Sequence, residues 1–397
     1  MNKFITLKLK DIGPVRMCKR VLKSQTCPKG DVPFYKIKTF GGKPDAYISN
    51  DLFEKYRKIY HFPKIGSILI SAAGTLGRVV RYNGEKAYFQ DSNIVWIEND
   101  EKILLNDYLY YFYLTKPWQI TLGSTIPRLY NNDIENLTIT FPKNIEQQKK
   151  VVAILKDLDM KIATNNAISK ELESMAKTIY DYWFLQFEFP DKDGKPYKSN
   201  GGKMVWNDQL KQKIPENWKV KNIFECADVQ YGKPLSTKLF EEKGTPVIRI
   251  RDINTLSNSA YTQENIENKY LSKAGDLLIG MDGNFQMNFW PRNGECVNQR
   301  IVRIRKKSFP LLLTKFQIEP YIKQKVSSIA RSTVGHLKAN DIQELKILLP
   351  ADDQLDVSIF DTFLQKIITI DNENKQLISL RNFLLPMLMN GQITIKD

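Results

Sequence analysis

The chain has 397 residues, of which 42% are hydrophobic, so it can form two globular cores and is too apolar to be largely disordered. Its 59 Lys and Arg residues outnumber its 44 Asp and Glu residues, and the net charge of +15 favours a polyanionic partner, with plain solubility as the alternative. Two His residues and four Cys residues without a CxxC pair leave little material for a zinc site or a catalytic triad. We expect a cytoplasmic protein that avoids membranes, because lysines interrupt the N-terminus and no apolar run is long enough to span a bilayer.

The first half of the chain alternates short apolar segments with turn signals and then changes to a helical pattern. Ser67–Ile70, Asn93–Trp96 and Leu137–Phe141 are predicted strands. Residues 146–186 contain neither Pro nor Gly, and their apolar positions recur at steps of three and four, which predicts a long helix. The apolar stripe of this helix is interrupted at the polar pair Asn165-Asn166.

The second half follows the same plan. Residues 190–204 are polar and rich in Gly and Pro, which predicts a flexible linker. Pro246–Ile250 and Gln299–Ile304 are predicted strands, and residues 354–385 again lack Pro and Gly and carry a helical stripe, interrupted at Asp371–Asn374. Because both stripes are narrow and share a polar break, we expect the two helices to pair; packing of each helix on its own domain is the alternative.

An internal repeat relates the two halves, with a period of about 208 residues that far exceeds solenoid repeats. Lys64–Ile70 corresponds to Lys273–Ile279, and Ser124–Leu129 corresponds to Ser332–Leu337. The Asn-Gly-Glu segment that begins at Asn83 also returns in the second half. Because the matching blocks occur in the same order, the chain is predicted to contain two copies of one mixed α/β domain.

Two such domains, each followed by a long helix, resemble the specificity subunits of Type I restriction–modification systems over essentially the whole chain. The segments that carry the resemblance include Ala73–Gly77, Tyr180–Phe184, Ile214–Val220 and Leu385–Ile393. The resemblance implies an α+β fold with two target-recognition domains, whose long helices pair as an antiparallel coiled coil. The implied boundaries are domain one, 1–144; its helix, 145–187; a linker, 188–214; domain two, 215–352; and the second helix with the C-terminal tail, 353–397.

The two copies depart from each other at positions that bear on specificity. Domain two opens with Pro215-Glu-Asn-Trp218, and domain one has no equivalent. Domain one has Ala73–Gly77 where domain two has Met281–Phe285. We therefore expect the domains to read different sequences, which gives an asymmetric bipartite target with a fixed gap.

The resemblance implies a DNA-binding subunit without a catalytic site of its own. Its implied partners are double-stranded DNA, two methyltransferase subunits and, where the system includes them, restriction subunits. S-adenosylmethionine, ATP and Mg²⁺ are expected on those partners, which carry out adenine methylation and restriction. Apolar residues near the helix ends are candidates for docking the methyltransferase, with packing on the neighbouring domain as the alternative: Tyr180, Trp183, Phe184, Leu385, Met387 and Leu388.

Candidate DNA-reading residues are polar side chains in loops rich in Gly or turn signals, because such loops can approach a groove and these side chains can pair with base edges or phosphates. In domain one they are the segment Thr39 to Lys43 with its polar residues Thr39 and Lys43, followed by Thr75, Arg78, Thr125, Arg128, Tyr130 and Asn131. In domain two they are Arg249, Arg251, Asn284, Gln299, Arg300, Thr333, His336 and Lys338. A structural role is the alternative for each, and Gln90 and Gln299 could instead satisfy backbone groups.

Two other functions stay open on the residues alone. A free-standing DNA-binding regulator would need a DNA-binding motif, and no helix-turn-helix pattern is evident. A nuclease could use Asp191 and Asp193, yet these carboxylates lie in the predicted flexible linker, where a metal ion would not be held. The chain also lacks the G-x-x-x-x-G-K-[ST] loop that binds ATP.

Overall fold

The computed structural model describes residues 4–74, 76–118, 128–236, 240–327, 335–351, 354–393 and 395. The chain forms two compact units, residues 1–161 with 377–397 and residues 162–376. The division between the units runs through both long helices, whereas the predicted boundaries treated each helix as a separate spacer. Each unit thus contains one globular domain and a part of each helix.

The first unit contains a central sheet flanked by two cores. Its strands are β1 (Phe4–Lys8), β2 (Val15–Met17), β3 (Val32–Tyr35), β4 (Tyr47–Ile48), β5 (Ile68–Ser71), β6 (Val79–Arg81), β7 (Tyr88–Phe89), β8 (Ile94–Ile97) and β9 (Thr138–Pro142). Its helices are α1 (Asn50–Ile59), α2 (Asn106–Leu114), α3 (Asn131–Glu135) and the first part of α4 (Ile145–Tyr180), and the C-terminal part of the second long helix also belongs to this unit. The sheets have the orders β2-β8-β5-β6 and β4-β3-β7, and β1 pairs with β9.

Strand β5 shows why this sheet forms. All four of its residues are buried, and alternate side chains enter different cores: Ile68 and Ile70 join one, and Leu69 joins the other. A short run of apolar residues therefore suits a strand that is covered on both faces. The predicted strands of this half are confirmed with shifts of one residue at their ends.

The second unit repeats the same arrangement. Its strands are β10 (Met204–Asn207), β11 (Gln212–Pro215), β12 (Lys219–Asn222), β13 (Ala227–Tyr231), β14 (Thr245–Ile248), β15 (Tyr261–Thr262), β16 (Asp276–Gly280), β17 (Met287–Trp290), β18 (Cys296–Val297), β19 (Ile301–Lys306) and β20 (Lys346–Leu349). Its helices are α5 (Ile223–Cys226), α6 (Leu311–Ser327), α7 (Ala339–Gln343) and the first part of α8 (Ile359–Met389), and the later part of α4 also belongs to this unit. The orders β13-β19-β16-β17 and β15-β14-β18, with β12 paired to β20, match those of the first unit strand for strand.

The segment predicted as a flexible linker is folded into the second unit. Phe187 and Phe189 are buried, and the Phe189 ring stacks on Tyr197 at 4.6 Å and on Trp218 at 5.0 Å. Strands β10 and β11 form a hairpin that follows this aromatic cluster. Within this polar segment, the Tyr197 ring packs on Phe189 and so ties the segment to the core of domain two.

The two long helices pair with each other, as predicted, and also pack on the domains. In the second unit, Asn165 of α4 lies opposite Asn374 of α8, and Trp183 lies opposite Phe360, so the helices run antiparallel. In the first unit, Arg381 Nη1 donates to Asp159 Oδ1 at 2.8 Å across the pair. The two alternatives for these helices therefore both hold, since each helix has buried residues in the domain cores as well.

Local hydrogen bonds set the ends of the two long helices. Helix α4 closes with a π-helical turn, Asp181–Leu185, in which Gln186 N–H donates to Asp181 O. Helix α8 begins at Ile359, because Asp356 accepts a hydrogen bond from Ser358 N–H and holds a turn there. It continues past Pro386 to Met389. Across the described ranges, none of the helices is both long and apolar enough to cross a membrane.

Candidate nucleic-acid interface

Three loop segments meet beside the central sheet of the first unit. They are residues 72–74 after β5, residues 90–93 before β8 and residues 128–131 at the start of α3, and we call their meeting place the first junction. Ala72 N–H donates to Asn93 O at 2.7 Å, and Leu129 N–H donates to Ala72 O at 2.8 Å. These backbone bonds fix the three segments and leave the neighbouring side chains free to face outward.

The second unit forms the same junction from equivalent segments. Residues 281–284, 298–300 and 335–338 make up this second junction. Met281 N–H donates to Arg300 O at 2.9 Å, and Leu337 N–H donates to Met281 O at 2.8 Å. An antiparallel β-bridge joins the backbones of Asp282 and His336 here, and an equivalent β-bridge joins Ala73 and Arg128 in the first junction. The two junctions therefore share a backbone frame and present different side chains.

The first junction presents an arginine supported by an aromatic ring. The Arg128 guanidinium lies 5.6 Å from the centroid of the Tyr130 ring, which is 64% exposed, and Arg128 Nη2 donates to Ser92 O at 3.4 Å. Asn131 begins α3 and is exposed. Ser92 has a φ of 52°, a conformation that costs energy for a residue other than glycine. The structure thus brings three predicted residues, Arg128, Tyr130 and Asn131, to one exposed place.

The second junction presents a cluster of three charged or titratable groups. Arg300 Nε donates to Asp282 Oδ2 at 2.7 Å, and Arg300 Nη2 donates to the other carboxylate oxygen. His336 Nδ1 lies 2.6 Å from Asp282 Oδ1. Hydrogen bonding by Arg300 is the main cause that holds the pKa of the Asp282 carboxyl below its usual range, against the opposing effect of burial. The cluster is half exposed, with side-chain exposures of 45% for Arg300 and 60% for His336.

Other predicted residues of domain one hold loops in shape. Thr39 Oγ1 accepts from Lys36 N–H at 3.1 Å and closes the turn that precedes Gly41. Arg78 Nη1 donates to Phe40 O, so part of its guanidinium supports the same turn. Gln90 Oε1 accepts from Ile37 N–H at 3.0 Å, so this side chain satisfies a backbone group, which was the alternative to DNA contact. Lys43 is exposed.

The remaining predicted residues of domain two divide into one internal ion pair and several exposed side chains. Arg249 is bound to Asp252, with Nε donating to Oδ2 at 3.0 Å, and its side chain is only 15% exposed. Its role is therefore to fix the loop after β14. The exposed residues are Arg251, Asn284, Gln299 and Lys338. Thr75, Thr125 and Thr333 lie outside the described residues.

Two features of these surfaces were not predicted from the sequence. Asp282 was not among the candidates, and only the fold shows that it contacts Arg300 and His336. In the first unit, a cavity of about 420 Å³ lies beside the first junction and shares Gln90 and residues 91–93 with it. Its lining includes three cations: Arg20, Lys23 and Lys36. These three residues lie within the first 40 positions of the sequence, but their spacing does not show that their side chains share a cavity.

The predicted docking residues are mostly buried within their own units. Tyr180 and Phe184 belong to the core of the second unit, and Leu385 and Leu388 belong to a core of the first. Trp183 packs partly buried against the former core, and Met387 is half-buried. This burial favours the alternative that these side chains pack on the neighbouring domain.

The carboxylate of Asp191, in the segment predicted as a linker, holds its own loop in shape. Asp191 Oδ1 accepts from the backbone N–H groups of Asp193 and Lys195, both at 2.9 Å, and Asn200 Nδ2 donates to Asp191 Oδ2 at 2.8 Å. The backbone donor of Lys195 is the main cause that lowers the pKa of Asp191. Within the part of the chain that the structure describes, no group of three His, Cys, Asp or Glu side chains could hold a metal ion.

The profile described as Type I restriction modification DNA specificity domain matches residues 1–174 and again residues 215–380. The type I restriction enzyme MjaIX specificity subunit of Methanocaldococcus jannaschii is 26% identical over 421 aligned positions, which cover 98% of this chain and 93% of that subunit.

Two further relatives agree with this match. The putative type I restriction enzyme specificity subunit S.HindORF215P of Haemophilus influenzae is 51% identical over 186 residues, and the alignment spans 46% of this chain and 47% of that protein. The crystal structure of the Type-I restriction-modification system S subunit from M. genitalium has the same fold, with a TM-score of 0.52 and 14% identity over 97% of this chain and 96% of that one. The chain belongs to the family of Type I restriction–modification DNA specificity subunits and carries two copies of its DNA specificity domain.

Proposed function

We propose that the chain reads an asymmetric, bipartite DNA target, with one half-site read at each junction. The observation that carries this proposal is the pair of matching backbone frames with unlike side chains. Ala73 and Arg128 stand in the first junction where Asp282 and His336 stand in the second. Because base pairs differ in their pattern of donors and acceptors, two frames of one shape with different groups suit two different short sequences.

The exposed side chains divide by chemistry into base readers and phosphate contacts. Arginine and amide side chains can pair with base edges, whereas lysines neutralise phosphates without reading sequence. The proposed readers are Arg128, Asn131, Asn284, Gln299, Arg300 and His336, with Thr75, Thr125 and Thr333 as further candidates from the sequence alone. Lys43, Arg251 and Lys338 are proposed phosphate contacts, and Tyr130, Thr39, Arg78 and Arg249 support the loops that carry the readers.

The proposed partners are the subunits that perform the chemistry. The chain would direct adenine methylation by two methyltransferase subunits and, where restriction subunits are present, cleavage by them; S-adenosylmethionine, ATP and Mg²⁺ would bind to those subunits. As a docking surface for the methyltransferase subunits, we propose exposed apolar residues of the helix in addition to the mostly buried residues predicted from the sequence. In the second unit, Ile168, Met175 and Tyr182 are 42–48% exposed and follow each other at steps of seven along one helix side.

The test is a genome-wide map of N6-methyladenine in host cells with and without the gene. We expect one asymmetric, gapped motif to lose methylation when the gene is deleted and to regain it when the gene is restored on a plasmid. Exchange of residues 215–352 for the domain of another specificity subunit should then change one half-site and leave the other unchanged. An unchanged map, in cells that express both this chain and a partner methyltransferase, would refute the proposal.

A further inference from the structure

The carboxylate of Asp282 holds the Arg300 guanidinium from one side. It accepts from Nε at 2.7 Å and from Nη2, so the two bonds form a side-on fork. A planar guanidinium bound in this way keeps its opposite edge, formed by Nη1 and Nη2, for another partner. The side chain is 45% exposed, which leaves room for that partner to approach from solvent.

The position of His336 leaves this free edge available. Its Nδ1 lies 2.6 Å from Asp282 Oδ1 and 3.2 Å from Arg300 Nη2. The carboxylate can only accept at that short distance, so Nδ1 carries the proton and donates to Asp282. A protonated Nδ1 cannot accept from Arg300, and the second Nη2 proton is therefore still free to donate elsewhere.

The ion pair suits a base better than a phosphate. A phosphate that approached Arg300 would also meet the negative charge of Asp282, and a paired arginine would add little to the release of counterions. Guanine instead offers two neutral acceptors, O6 and N7, at the spacing of an arginine fork. The first junction differs here, because Ala73 stands in the place of Asp282 and Arg128 lies over a tyrosine ring.

We propose that Arg300 reads a guanine in the half-site of domain two, and that Asp282 is the positioning residue that orients its guanidinium. The inference rests on the proposed function and adds the identity of one base. Because Asp282 orders the Arg300 guanidinium before DNA binds, the entropy cost of ordering this long side chain is not incurred on binding. A base edge without acceptors in the matching positions would leave the oriented N–H donors unpaired, which disfavours binding to the wrong base.

The experiment uses the complex of the full chain with its methyltransferase subunits. DNA binding is measured at several salt concentrations on duplexes in which each base pair of the domain-two half-site is replaced in turn. Arg300→Ala should lower the preference for guanine on the order of 10- to 100-fold at one position only. Arg128→Ala is the matched control, because it should affect only the other half-site.

Asp282→Asn separates positioning from simple structural support. It should reduce discrimination at the same guanine, because the Arg300 guanidinium is no longer held in one orientation. It should also strengthen binding to unrelated DNA, because a negative charge is removed while the positive charge of Arg300 is kept. A uniform loss of affinity in Arg300→Ala, with a salt slope smaller by about one, would instead place Arg300 on a phosphate and overturn the inference. If the unaltered complex binds no gapped motif at all, the proposed function itself is refuted. Intact reading of the domain-one half-site by a variant shows that the variant is folded.

Discussion

Two glycines in the loop after β5 carry different steric constraints. Gly74 and Gly77 both have a positive φ, 67° and 70° respectively. A Cβ atom added to Gly77 would lie 1.9 Å from Cζ2 of Trp118, whereas one added to Gly74 would meet Ile37 at 3.4 Å, an ordinary contact. Gly77 therefore permits close packing of a buried tryptophan beside the first junction, and Gly74 needs only the backbone conformation.

Gly77→Ala should consequently destabilise domain one far more than Gly74→Ala. We expect the free energy of unfolding to fall by about 3 kcal/mol for Gly77→Ala, from overpacking and backbone strain together. Gly74→Ala should cost about 1 kcal/mol, from backbone strain alone. Urea denaturation followed by tryptophan fluorescence measures both. Equal losses in the two variants would show that Trp118 moves aside at little cost.

At the same scale, the sequence identified the chemistry of several side chains but not their partners. Arg300 and His336 were predicted as separate DNA contacts, and only the fold shows that Asp282 joins them. Arg249 was predicted on the same grounds, yet its guanidinium is bound internally to Asp252, three residues further along the chain. Residue type and a loop environment indicate what a side chain can bind, whereas its availability depends on tertiary neighbours.

Among the elements, the pair of long helices shows what the polar residues that interrupt each apolar stripe do. Asn165 is 1% exposed, and its Nδ2 donates to Asn374 Oδ1 at 3.0 Å and to Glu373 Oε2 at 2.9 Å. Asn374 Nδ2 in turn donates to Asn166 Oδ1 at 2.8 Å. The two interruptions predicted from the sequence thus meet each other. Buried amides at such a seam specify the register of paired helices, because a shifted register would leave them unpaired.

A double-mutant cycle tests this role. Asn374→Leu should lower the free energy of unfolding by about 1–2 kcal/mol, because Asn165 loses a buried partner. The double variant Asn165→Leu with Asn374→Leu should recover most of this loss, since two apolar residues fill the seam. Gln376→Leu, at an exposed position of the same helix, is the control and should change little. Additive losses in the double variant would contradict a direct coupling of the two amides.

The elements that the sequence predicted well are those with a strong local pattern. Strands such as β5 and β8 and the long helices α4 and α8 follow from runs and periodicities that burial imposes. The hairpin β10–β11 was not predicted, because its strands are short and its apolar residues Met204, Leu210 and Ile214 find their partners only in the folded core of the second unit. Helix α8 ends at Met389, within the segment Leu385–Ile393 that carried the family resemblance, and its final turn is closed by Asn390 N–H donating to Pro386 O.

For the whole molecule, the internal repeat was the most informative signal. Matching blocks in the two halves predicted two copies of one domain, and the strand orders of the two units agree one by one. The division of the chain was not predicted, because it falls inside both helices, after Lys161 and after Gln376. The apolar periodicity of a helix is the same whichever core the helix packs on, so it does not indicate the residue at which the helix passes from one unit to the other.

That division provides a test of the helices as a spacer between half-sites. Insertion of seven residues after Lys161 and of seven after Gln376 preserves the contacts within each unit and returns both apolar stripes to nearly the same side. Each insertion adds about 10 Å of helix, which corresponds to about three base pairs. We expect methylome mapping to show both half-sites unchanged and a longer gap between them. Insertions of five residues at the same points should abolish methylation, because they turn the stripes by about 140° and break the pairing. An unchanged gap in the seven-residue variant would mean that something other than the helices sets the spacing.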